Sequence, residues 1–128
     1  MSATIAFAQA HEYVQTLFGR KINTPDINLK GPGQGFAKRA AINAPIQGTA
    51  ADVIRRAMIR MPDAIRGIPA KMLLQVHDEL LFEVDEDAAP DLIKAAKATM
   101  EGAPHPAVDL KVPLIVEAGQ GLNWAAAH

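Results

Sequence analysis

The sequence predicts an α+β fold, with helices packed on a small antiparallel sheet. Three observations carry this. Residues 36–61 place apolar side chains at 46, 50, 53, 54, 57, 58 and 61, a helical stripe that faces a core. Residues 72–76 and 80–84 are two apolar runs of strand length around the polar triplet His77, Asp78 and Glu79. Residues 88–101 carry Leu92, Ile93, Ala96 and Met100 on one side of a second helix. Helices segregated against one hairpin sheet are an α+β arrangement. At 128 residues and 49% hydrophobic, residues 1–128 are expected to form one domain around one core, not a disordered chain.

Composition removes several classes. The chain has no cysteine, which excludes disulfides and thiolate metal sites. No apolar run approaches the length that crosses a membrane. No basic region precedes the first apolar residues, which argues against a signal peptide. A cytoplasmic location without membrane contact is the expectation. The net charge of −1 hides an asymmetry. Between Arg20 and Arg60, eight Lys or Arg face Asp26 and Asp52, a surplus of +6. Between Asp78 and Glu101, eight Asp or Glu face Lys94 and Lys97, a surplus of −6. A basic half can meet phosphates and an acidic patch can hold a cation, although charge balance for solubility explains the pattern equally well.

Taken in order, residues 1–19 read as a helix with Ser2 and Thr4 as candidate caps and Gly19 as a stop. Residues 20–27 read as a short extended segment with a turn at Thr24, Pro25 and Asp26. Residues 29–35 contain three glycines and Pro32 and read as a loop. They are not a P-loop, because no Gly-Lys-Ser/Thr follows. The long helix follows over 36–61, with a kink or break expected at Pro45. Residues 62–69 connect to the hairpin through Pro62, Gly67 and Pro69. The hairpin has no Asn-Gly signal and is expected to turn tightly at the triplet. After the helix over 88–101, residues 102–106 end it, and 108–116 read as a strand with Pro113 at an edge or bulge. Gly119 and Gly121 mark a turn before Trp124, which reads as a packing anchor.

Two groups of residues could carry chemistry. The hairpin tip offers one imidazole and two carboxylates on an apolar base. Magnesium takes oxygen ligands and usually only one or two protein carboxylates, so Asp78 suits it. Arg39, Asn43 and Gln47 are spaced by four and share one helix face. Asn and Gln both donate and accept, and can reach the acceptors that every base pair shows in the DNA minor groove. Lys30, Lys38 and Arg39 could meet phosphates. From spacing alone, a solvated turn and a polar ridge explain both groups at least as well.

The wording of these stretches is more specific than their spacing. Gln75-Val76-His77-Asp78-Glu79-Leu80 resembles the palm-domain hairpin of family A DNA polymerases, the bacterial DNA polymerase I type. The stretch from Arg39 through Asn43 and Gln47 to Asp52 resembles the same family, as do Tyr13 to Arg20 and the closing residues 112–117 with Asn123 and Trp124. Four blocks in the family's order cover most of the chain, which is then the C-terminal palm/fingers part of such a polymerase.

The resemblance implies template-directed addition of deoxynucleotides to a primer 3′ end, in DNA replication or repair. It implies two magnesium ions as cofactors, with primer-template DNA and deoxynucleoside triphosphates as partners. Asp78 matches the metal-binding aspartate, Glu79 its supporting acidic neighbour, and His77 a histidine placed near the primer terminus. Arg39, Asn43 and Gln47 match residues that contact the primer-template, with Lys38 beside them. The family's second metal-binding aspartate and its nucleotide-binding fingers helix have no counterpart in these residues. The chain alone is therefore expected to be inactive, with the other polymerase half as a partner. A non-catalytic DNA-binding or structural module is the alternative. A homo-oligomer formed through surface that the missing parts would cover is a third reading.

Overall fold

The computed structural model describes residues 2–110 and 114–127, without the side chains of Trp124 and Ala125. Its contacts group into two compact units, Met1–Asp52 and Val53–His128. Helices and two small antiparallel sheets confirm the α+β class. Among the described residues, no helix is long and apolar enough to cross a membrane.

In the first unit, α1 (Ser2–His11) is followed by a strand hairpin, β1 (Tyr13–Gln15) paired with β2 (Lys21–Asn23). The helix expected to reach Gly19 thus ends before Glu12, whose φ of 60° leaves the helical region. Gly19, at φ 86°, serves the turn between the strands. Thr16 organises that turn. It is almost fully buried, and its Oγ1 accepts from the Phe18 and Arg20 amides at 3.2 and 3.3 Å. Ala8, Val14, Ile27 and Ala41 form the core here, with Ile22 and Ala44 packed on it.

The long helix α2 (Gln34–Ala64) begins in this unit. Of the kink or break expected at Pro45, the break is not found: the helix is continuous there. An interior proline costs a helix about 3 kcal/mol, and the buried Ala41 and half-buried Ala44 on the turn before it supply packing against that cost. Gly48 is buried, and a Cβ there would lie 2.6 Å from Ile22 Cδ1 and 2.8 Å from Thr16 Cγ2. Only a glycine admits the hairpin this close. Around it, Arg20 Nε donates to Asp52 Oδ1 at 2.8 Å, and the Leu17 amide donates to Thr49 Oγ1 at 3.0 Å.

In the second unit, α2 buries Ile54, Ala57 and Met61. The stripe read from the sequence therefore holds from 53 onward. Its first members fail: Ile46 is 70% exposed and Ala50 is exposed. The hairpin strands are β3 (Ala70–Val76) and β4 (Glu79–Val84), in register from Ala70↔Val84 to Val76↔Glu79, with an irregularity between Met72 and Leu74. Met72, Leu80, Phe82 and Val84 pack on a core of Met61, Ile65 and Leu92. A 3₁₀ turn (Glu86–Ala88) leads into α3 (Ala89–Glu101), whose start is favoured by Pro90 in its first turn.

Two arginines that the charge count assigned to the basic half are engaged at the end of α3. Arg56 Nε donates to the Ala103 carbonyl at 2.7 Å, and Arg60 donates to the carbonyls of Gly102 and His105. These charge-assisted bonds to carbonyls just past the end of α3 tie the chain that follows the helix to α2. The strand expected over 108–116 is not found among its described residues, 108–110 and 114–116; residues 111–113, with Pro113, lie outside the description. Instead the Val116 amide donates to Glu101 Oε2 at 2.8 Å. A final turn, α4 (Trp124–Ala127), is capped by Asn123 Oδ1, which accepts from the Ala126 amide. The packing role expected of the Trp124 side chain lies outside the described residues.

Candidate functional site

The hairpin turns in two residues, His77 and Asp78, with Glu79 the first residue of β4. Such tight turns require positive φ at one or both loop residues and favour Gly or Asn there. His77 adopts φ 54° instead. Histidine is among the non-glycine residues that tolerate this region best. The Gln75 side chain reaches the turn, its Nε2 donating to the His77 carbonyl at 2.7 Å. The three polar residues all stand exposed at the tip, above the half-buried Val76 and Leu80. Sequence reasoning placed the hairpin turn at these three residues, where it is found, and gave Gln75 no role. The missing signal was the absence of glycine or asparagine from so tight a turn, which calls for a brace.

Among the described residues, no group of three or more His, Cys, Asp or Glu could hold a metal ion. Asp78 and Glu79 thus offer two adjacent carboxylates. That donor set fits part of a magnesium site, since magnesium is commonly held by one or two carboxylates with phosphate and water oxygens completing its shell.

The second group lies on α2 in the first unit. Arg39, Asn43 and Gln47 are exposed, whereas Ala41 and Gly48 on the other side of the helix are buried. Lys38 is half-buried beside them. The exposed face also carries Phe36 and Ile46, each at least 70% exposed. Sequence reasoning missed both: it assigned Ile46 to the core stripe and gave Phe36 no role. A helix face that interleaves a guanidinium, two amides and large apolar side chains is suited to contact another molecule. The hairpin tip and this face belong to different compact units.

The architecture matches that of a polymerase domain. The structure superposes on the POL domain of Pol1 from M. smegmatis, in complex with DNA primer-template and dNTP, with a TM-score of 0.88 and 40% identity, covering 98% of this chain and 22% of that one. The family model for DNA polymerase family A matches residues 1–126, and the chain belongs to that family. It is similar to DNA polymerase I of Rhizobium leguminosarum, 47% identical over all of this chain and 13% of that protein. It is also similar to DNA polymerase I of Pseudomonas aeruginosa, at 45% over all of this chain and 14% of that protein. A thermostable DNA polymerase I of Thermus thermophilus is 41% identical over 99% of the chain and 15% of its own length. The chain therefore spans roughly one-seventh of these relatives.

Proposed function

We propose that residues 1–128 form the C-terminal palm/fingers segment of a DNA-directed DNA polymerase, which adds deoxynucleotides to a primer 3′ end in replication or repair. The observation that carries this reading is the family A match over residues 1–126 of this chain, with Asp78 at the tip of a two-residue hairpin turn. In it, Asp78 is a metal ligand and Glu79 supports the same site. His77 positions the primer terminus. Arg39, Asn43 and Gln47, with Lys38, hold the primer-template. Asn and Gln read acceptors common to all base pairs, so they select pair geometry and not sequence. When bound, two magnesium ions would supply electrostatic stabilisation of the attacking and leaving oxygens.

Two adjacent carboxylates on one turn would fill only a small part of the octahedral oxygen shells of two magnesium ions. The remaining ligands and the nucleotide-binding groups come from polypeptide outside these residues, which is the partner of this chain. The exposed Ile59, Leu73 and Leu74 of the second unit give that polypeptide apolar surface to cover.

The test is a chimera in which this chain replaces the matching segment of the Rhizobium polymerase. The chimera is expected to extend a primer with magnesium and deoxynucleotides; a chimera that folds and binds DNA without extending the primer contradicts the reading. In the same chimera, changing both Arg39 and Gln47 to Ala is expected to raise the DNA Kd at least about tenfold. Loss of the Arg39 charge should also reduce the slope of log K against log salt by about 0.9 for one phosphate contact. Binding titrations at several salt concentrations read both effects.

A further inference from the structure

We propose that Gln75 is a positioning residue that sets the direction of Asp78 by bracing the turn; this rests on the reading of Asp78 as a metal ligand. The Gln75 Nε2 donates to the His77 carbonyl at 2.7 Å. That carbonyl belongs to the peptide unit joining His77 to Asp78. Fixing its oxygen fixes the plane of that peptide and its N–Cα bond to Asp78, while the pairing of Glu79 with Val76 holds the other side of Asp78, which together restrict the Cα–Cβ direction from which the carboxylate projects.

The turn needs such a brace. His77 holds φ 54° in a two-residue loop without glycine. Side chains in this region persist where the surroundings hold them there. The brace starts from the ladder itself, since Gln75 pairs with Leu80 across the hairpin. The base of the hairpin is anchored in turn, through Met72 and Phe82, on the second unit's core. A carboxylate held in one direction before its ligand arrives avoids the ordering cost of binding.

The substitution that isolates the brace is Gln75→Leu, which keeps approximate size and removes the donor. In the chimera, it is expected to lower kcat about threefold to tenfold, the range for one lost hydrogen bond. KM for deoxynucleotide and Kd for primer-template should stay within about twofold, because Gln75 acts through the turn and not on DNA. A double-mutant cycle adds a readout that a direct DNA contact would not move. Glycine adopts positive φ freely, so in a His77→Gly background the kcat effect of Gln75→Leu should shrink toward none. Hydrogen–deuterium exchange of the peptide spanning residues 71–84 should quicken on Gln75→Leu in the chimera, whether or not the chimera extends a primer. An unchanged exchange rate overturns the proposal. So does a rise in DNA Kd of equal size in both His77 backgrounds, which would place Gln75 on the DNA itself. A chimera without extension but with quickened exchange defeats the polymerase reading and leaves the brace standing.

Discussion

Asp78→Asn in the chimera is expected to cut primer extension by on the order of 10²- to 10³-fold or more, the size of effect seen when a preorganised electrostatic group is removed from a reacting centre. Asparagine keeps the shape of the side chain and its place in the turn. It loses the charge and one of the two anionic oxygens that a hard cation selects. DNA affinity should hold or tighten slightly, since a negative charge near phosphates has been removed. Glu79→Gln should cost less, about tenfold to a hundredfold, as groups that support a metal ligand usually do. Steady-state extension and binding titrations separate the two residues. Equal losses for both would mean that Glu79 is a ligand of the same rank as Asp78.

Gly48→Ala is expected to destabilise the first unit although alanine favours helix. The helical gain is up to about 1 kcal/mol. Against it stand two contacts under 3 Å, to Ile22 Cδ1 and Thr16 Cγ2. Ile22 can swing the end of its side chain. Thr16 cannot easily follow, because its hydroxyl accepts two amides of the turn and its side chain is buried. Overpacking typically costs about 1–3 kcal/mol, so the clash outweighs the propensity. A fall in Tm of several degrees is the expected size for a chain of this length. Gly35→Ala is the control: its Cβ would meet only the Arg39 guanidinium, at 3.4 Å, and the substitution should be neutral or mildly stabilising. Thermal unfolding of the three proteins decides, and a Gly48→Ala protein as stable as the parent would contradict the packing described here.

The hairpin and α3 were legible because their apolar patterns are long enough to be periodic. Leu92, Ala96 and Met100 pack where their spacing placed them. The β1–β2 hairpin was not legible. Its strands are three residues each, and Tyr13–Gln15 continues smoothly from a helical stretch with no proline or glycine between. What separates them is one backbone conformation, at Glu12, that sequence does not announce. The front of the α2 stripe misled for a different reason. Ile46 has the right residue type and spacing but no neighbour in the first unit's core, which Ala41 and Ala44 reach instead. Small residues carry little weight in a hydrophobic pattern and yet decide where backbones approach. The charge asymmetry was real in the sequence, but local pairing absorbs part of it: Arg20 meets Asp52, while Arg56 and Arg60 meet carbonyls. Pairing of that kind depends on tertiary neighbours. The candidate site was legible through its residue wording; the two-residue turn, its positive φ and the Gln75 brace required the fold.

The most direct measurement is primer extension by the 128-residue chain alone, with magnesium, deoxynucleotides and a labelled primer-template, run beside the chimera. The account predicts no extension by the chain alone and extension by the chimera, because in the proposed reading Asp78 works with carboxylates and nucleotide-binding groups from outside these residues. Extension by the chain alone that disappears with Asp78→Asn would contradict it. The metal site would then be complete within this chain or between its own copies.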